Sequence, residues 1–127
     1  MEIFKEAQEA QKLSTDLRRP IGVIIVCGGK IIGRGYNKAT LKLKWFNQWH
    51  KKHCLRKIFN VPKNGWYWFC PGCALNKNHA EMVAIRNMTQ KLEPNNDSIL
   101  YILGHSYCCY NCLKNIAKAN IKNIKVL

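Results

Sequence analysis

The chain has 127 residues and a mass of 14.7 kDa, which suits one domain and allows a core to be buried without disulfides. Hydrophobic residues make up 47%, which argues against disorder, and no apolar run approaches the roughly 20 residues of a membrane span. Twenty-one basic residues against seven acidic ones give a formal charge of +14, a field that favours nucleotides, nucleic acid or an acidic surface as partners.

The first six residues lack a basic region followed by an apolar stretch, so no secretory signal and a cytoplasmic location are expected. Residues 2–17 predict an amphipathic helix, with Ile3, Phe4, Ala7, Ala10, Leu13 and Leu17 near helical spacing and Pro20 as its stop. Ile21 to Val26 and Lys30 to Tyr36 are β-branched runs joined by Cys27-Gly28-Gly29, which reads as an antiparallel hairpin. Cys27 is expected to be an inert turn residue.

Residues 38–77 have little periodicity and contain all four tryptophans, Trp45, Trp49, Trp66 and Trp68, among many lysines. A stretch of this length is too long for an ordinary loop and predicts a functional or separately stapled insertion. Its interleaved aromatic and basic residues, among them Lys42, Lys44, Lys51 and Lys52, could stack bases and track a nucleic-acid strand, or anchor the insertion. Next, Met82, Val83, Ile85, Met88 and Leu92 predict a helix over residues 79–91, stopped by Glu93-Pro94-Asn95-Asn96. Ser98 to Leu103 predicts a strand, residues 110–119 a short helix with Leu113, Ile116 and Ala117 inward, and Ile121 to Leu127 a last strand. Two β-α-β units predict parallel pairings beside the antiparallel hairpin, and so a mixed sheet.

The charge is concentrated. Residues 21–80 carry eleven basic residues and no acidic one. The seven cysteines are an odd number, and without a secretory signal they suggest metal or redox chemistry more than a disulfide framework. Two C-x-x-C pairs occur, Cys70-Pro71-Gly72-Cys73 and Cys109-Tyr110-Asn111-Cys112.

His79-Ala80-Glu81 and the Cys109/Cys112 pair both fall at predicted helix N-termini, which right-handed crossovers bring to one edge of a sheet. One imidazole and two thiolates can meet there on a zinc ion and leave the fourth tetrahedral position open. The helix N-termini favour thiolates and a bound hydroxide. Glu81, two residues past the histidine, stands beside the metal and can shuttle protons. Such a set suits hydrolytic deamination, with hydroxide attacking the ring carbon that bears the amine. Cys108 also precedes Cys112, so two registers exist, of which Cys109 keeps the i, i+3 spacing of one helical face.

Cys54, Cys70 and Cys73, with His50 or His53 nearby, could form a second, structural zinc site that holds the insertion. His105, in Gly104-His105-Ser106 beside the expected site, could contact a base or phosphate, or be a solvated loop residue.

The H-x-E plus C-x-x-C pattern on this element order resembles the cytidine deaminase-like superfamily, and within it most resembles the deoxycytidylate (dCMP) deaminases. The resemblance covers nearly the whole chain: the N-terminal helix, the hairpin ending in Gly35-Tyr36-Asn37, the H-A-E helix, Ile99 to Ile102 leading to C-x-x-C, and residues 119–124. Cys54 to Cys70, just before H-A-E, resembles the cysteine-bearing insertion of many dCMP deaminases. The resemblance implies an α/β fold, a cytidine deaminase-like α-β-α sandwich in the order α-β-β-α-β-α-β with a mixed, mostly parallel sheet. It implies a single domain over 1–127 that converts dCMP to dUMP and ammonia. It further implies zinc on His79, Cys109 and Cys112, Glu81 as proton shuttle, Asn37 on the substrate sugar and the Ala80 backbone N–H on the base. Homo-oligomers, dimers or larger, are implied as well. Lys38-Ala39-Thr40 replaces the family's Gly and Pro after G-Y-N, which argues against control by dCTP and dTTP. Cys108 replaces the proline before C-x-x-C, and the connector from residue 104 is about two residues longer than usual.

Two other readings are compatible with the sequence. One is a polynucleotide deaminase, acting on tRNA adenosine or single-stranded cytosine, favoured by the charge and the aromatic insertion. The other is a non-catalytic zinc-stapled nucleic-acid-binding module, which would have no use for Glu81.

Overall fold

In the computed structural model, which describes residues 2–16, 19–39, 44–60, 78–105 and 110–127, the hairpin consists of β1 (Gly22–Cys27) and β2 (Lys30–Tyr36). Gly28 and Gly29 both take positive φ, 60° and 74°, as a tight turn with the twist of a hairpin requires. β3 (Ile99–Leu103) and β4 (Asn123–Val126) complete a four-stranded sheet in the order β2-β1-β3-β4.

β1 pairs antiparallel with both β2 and β3, and β3 pairs parallel with β4. The expected parallel pairing within the first β-α-β unit is therefore corrected. β1 occupies the slot between β2 and β3, so those strands run the same way without touching. Three of the four strands share one direction, and the sheet is mixed. The arrangement puts the most apolar strand in the centre. Val23, Ile24 and Ile25 are fully buried, and each such aliphatic side chain contributes about 1.5–3 kcal/mol by burial.

Alternation along β1 divides its side chains between two layers. Ile24 and Val26 pack with Ala7 and Ala10 of α1 (Ile3–Lys12) on one face. Val23 and Ile25 pack on the other with Ala80 and Ala84 of α4 (Ala80–Arg86) and Ile116 of α5 (Tyr110–Lys118). Two short helices, α2 (Lys44–His50) and α3 (Leu55–Ile58), lie in the predicted insertion. The layers are helix, sheet, helix, as the sequence implied.

Element ends differ from expectation for local reasons. α1 stops at Lys12 instead of residue 17, because Ser14 and Asp16 turn their polar side chains back into the chain; the Asp16 N–H donates to Ser14 Oγ at 3.2 Å. α4 stops at Arg86 instead of residue 91, because the Thr89 N–H donates to the Ile32 carbonyl at 2.8 Å and draws the chain along β2. After α5, Asn120 at φ 63° reverses the chain, Ile121 enters the core, and the strand begins at Asn123. Cys27 ends β1, and its thiol donates to Asp97 Oδ1 at 3.5 Å. Among the described residues, no helix is long and apolar enough to cross a membrane.

Candidate active site

β2 and β3 end at one edge of the sheet, and α4, reached through the insertion after β2, and α5, which follows β3, start there. Gly35 fixes how closely α4 lies on β2. A Cβ at that position would meet the Ala80 carbonyl and Ala84 nitrogen of the helix backbone. At the same edge the Lys38 N–H donates to the Asn78 carbonyl at 3.0 Å, which sets the start of α4.

His79 is the N-cap residue of α4, with extended backbone (φ −64°, ψ 149°), and its side chain makes no capping hydrogen bond. Its Nδ1 lies 3.4 Å from Cys112 Sγ. Cys112, in the first turn of α5, is fully buried, and Glu81, in the first turn of α4, is 4% exposed. Ligand atoms of His79, Glu81 and Cys112 all lie within 4.8 Å of one another. Among the described residues, no other group of three such side chains converges in this way.

The donor set fits zinc, which prefers imidazole nitrogen and thiolate sulfur. With Zn–N at about 2.0–2.1 Å and Zn–S at about 2.3 Å, tetrahedral geometry separates those two ligand atoms by roughly 3.5 Å, and the 3.4 Å between Nδ1 and Sγ is close to that edge. Two helix N-termini meet at the group and place partial positive charge beside the thiol and the carboxylate. Cys108 and Cys109, the two candidates for a further thiolate, lie outside the described residues.

Asn37 lies at this edge and is buried, but its amide is committed within the chain. Oδ1 accepts from the Ile21 N–H at 2.9 Å and from Ser14 Oγ, and Nδ2 donates to the Arg19 carbonyl at 2.8 Å and to Asp16 Oδ2 at 3.5 Å. A substrate sugar would have to displace one of these partners. Ala80 is fully buried at the start of α4, and His105 is half-buried after Gly104, beyond β3. Of the basic residues near the edge, Lys38 lies over the Tyr36 ring at 5.4 Å, and Arg34 pairs with Glu6 at 3.1 Å.

Of the second cysteine cluster, Cys54 is buried at the start of α3, while Cys70 and Cys73 lie outside the described residues. The two candidate histidines differ. His50 is 1% exposed with Nδ1 3.6 Å from Asp16 Oδ1, whereas His53 is exposed and stacks on Trp49 at 5.0 Å. Sequence patterning does not reveal the inward roles of Ser14, Asp16 and His50. Their one signal is that Ser14 and Asp16 interrupt the apolar spacing just before Leu17.

The family model described as "cytidine and deoxycytidylate deaminase zinc-binding region" matches residues 1–127. No curated protein matches the chain. Among solved structures, the dCMP deaminase from the cyanophage S-TIM5, in complex with dCMP and dUMP, is similar with a TM-score of 0.56 and 23% identity over 99% of this chain and 82% of that one. A diaminohydroxyphosphoribosylaminopyrimidine deaminase/5-amino-6-(5-phosphoribosylamino)uracil reductase from Thermotoga maritima is similar with a TM-score of 0.52 and 21% identity, over 98% of this chain and 28% of that one. RibD from Acinetobacter baumannii is similar with a TM-score of 0.50 and 18% identity, over 96% and 26%. The chain thus spans less than a third of the latter two proteins. These likenesses establish a shared fold.

Proposed function

The chain belongs to the cytidine and deoxycytidylate deaminase zinc-binding family, and from that premise we propose that it is a nucleotide deaminase converting dCMP to dUMP and ammonia. The observation that carries this reading is the convergence of His79, Glu81 and Cys112 within 4.8 Å at the meeting point of two helix N-termini.

Zinc is the family's metal, and the proposed ligands are His79, Cys112 and Cys109. Bound there, zinc would supply a Lewis acid that makes water nucleophilic at neutral pH. Glu81 carries the proton work. Its carboxylate takes one proton from the attacking water and gives it to the ring nitrogen. It then takes the water's second proton from the hydroxyl added to the ring carbon and gives it to the amine, which leaves as ammonia as the C–N bond breaks and the carbonyl forms. Its burial holds the carboxylate away from bulk water and at a fixed distance from the His79 side chain. The buried Ala80 backbone N–H would orient the base and His105 would border the pocket, with Asn37 holding the edge from beneath. The basic block of residues 21–80 suits a substrate phosphate, and Lys38 is one described candidate.

A second, structural zinc on Cys54, Cys70 and Cys73, with His50 or His53, is part of the proposal. So are a homo-oligomeric state and a cytoplasmic location. Substrate class is tested by ammonia release from dCMP, cytidine and single-stranded DNA, with Glu81→Ala as control. Turnover of dCMP by the native chain and none by the variant supports the reading. Turnover of polynucleotide alone would replace dCMP with a polynucleotide substrate, and equal, negligible release from both proteins would reject an enzyme.

A further inference from the structure

α2 is turned the opposite way from a helix that only packs. Its His50 and the following Cys54 are buried, while its indoles face outward, Trp45 at 67% and Trp49 at 41% exposure. The rings are not scattered. Trp45 meets Phe46 edge-on at 5.9 Å, Phe46 lies 5.5 Å from Trp49, and Trp49 stacks on His53 at 5.0 Å with 26° between planes. One row of rings therefore runs along α2 and past its end. The next turn adds exposed Ile58 and Phe59. Lys51, Lys52 and Lys57 are exposed beside the rings, and residues 44–60 contain no acidic residue.

A continuous row of exposed rings flanked by exposed cations marks an interaction site, and its chemistry identifies the occupant. An apolar protein surface would match the rings but leave the cations facing nothing. A bare polyanion would match the cations but leave the indoles in water. We infer that the outward face of α2 and α3 docks single-stranded nucleic acid, with bases stacking on Trp45 and Trp49 and phosphates paired by the lysines around them. A duplex keeps its bases stacked on one another and cannot offer their faces to these rings. The inference does not depend on the substrate taken at the His79–Glu81–Cys112 group.

The test is fluorescence anisotropy of a labelled oligothymidylate, which contains no cytosine and so reports binding free of turnover, against a duplex of equal length and heparin. The oligothymidylate is expected to bind more tightly than either. Trp45→Ala should weaken it about five- to a hundred-fold and leave duplex and heparin binding unchanged, since stacking acts only on exposed bases. Trp45→Phe should retain part of the affinity. A paired Lys51→Glu, Lys52→Glu variant should weaken all three ligands and flatten the salt dependence. The dCMP turnover of Trp45→Ala should equal that of the native chain. Equal affinity for all three ligands, unchanged by Trp45→Ala, would overturn the inference by reducing the surface to charge alone. So would a sedimentation experiment in which Trp45→Ala converts an oligomer to a smaller species, because the rings would then be a subunit contact.

Discussion

The backbone N–H of Lys38 donates to the carbonyl of Asn78 at 3.0 Å, joining the end of β2 to the residue before His79 across forty positions of sequence. Asn37, one residue earlier, is bound on every side of its amide by Ser14, Asp16, Arg19 and Ile21. The start of α4, and with it His79, thus rests on a buried polar network rather than on the core alone.

Removing the Asn37 amide leaves buried partners without hydrogen bonds, each costing about 1–3 kcal/mol. Asn37→Ala is expected to lower the urea midpoint clearly. Asn37→Asp should be no milder, because it replaces a donor with an acceptor opposite the Arg19 carbonyl and the Asp16 carboxylate. A well-tolerated Asn37→Asp would contradict the assignment of Nδ2 as donor to those two groups.

Glu81→Gln keeps the shape of a buried side chain and removes its proton chemistry. Zinc content and unfolding midpoint should stay near native values while turnover falls about 10²–10⁴-fold. Loss of metal and fold together would show that the carboxylate is structural.

Cys112 is fully buried with its sulfur 3.4 Å from His79 Nδ1, so Cys112→Ser should release the catalytic zinc and abolish ammonia production. Elemental analysis of the native chain should give close to two zinc per chain, falling by one in Cys112→Ser and by one in Cys70→Ser. One zinc per chain, with Cys70→Ser folded and active, would remove the structural site.

Gly35→Ala forces a methyl into the backbone of α4 at Ala80 and Ala84. Overpacking of this kind costs about 1–3 kcal/mol. Relief by a shift of α4 would carry Glu81 with it, so both thermal stability and turnover should drop. A native melting temperature would refute the close approach.

Hydrogen bonds from the Gly28 N–H, at 3.1 Å, and then from the Cys27 thiol hold the Asp97 carboxyl below the usual carboxylate range. A group whose folded value is depressed contributes stability above its unfolded value and loses it as pH falls through the folded one. The stability difference between native and Asp97→Asn chains should therefore be present at neutral pH and vanish as the medium is acidified through the carboxylate range. Denaturation at a series of pH values measures it; a difference that grows in acid would reverse the sign. Burial first, and then Asp97, raises the Cys27 thiol, which should react slowly with alkylating reagents at neutral pH.

Periodicity alone sufficed for the hairpin and for the presence of every helix outside the insertion, since alternation and helical spacing are local properties of the chain, while the layer structure came from the family resemblance. His79, Glu81 and Cys112 were legible for another reason. Metal ligands and acid–base groups tolerate few residue types, and H-A-E with C-x-x-C at helix starts is a compact pattern. The two helices inside the insertion were not legible, because α2 buries an imidazole and exposes indoles, the reverse of the usual pattern.

What no local pattern contained was the slot of β1 between β2 and β3. That choice compares the burial of whole strands, and it is settled by which strand both helical layers can cover. Likewise Ser14, Asp16 and His50 are ordinary polar residues in sequence. Only when the end of α1, the end of β2 and the insertion converge do their side chains leave water, and a buried polar group must then find its partners within the chain. Residue types and their spacing thus limit which chemistry this chain can carry, while long-range packing selects the backbone that holds His79, Glu81 and Cys112 together.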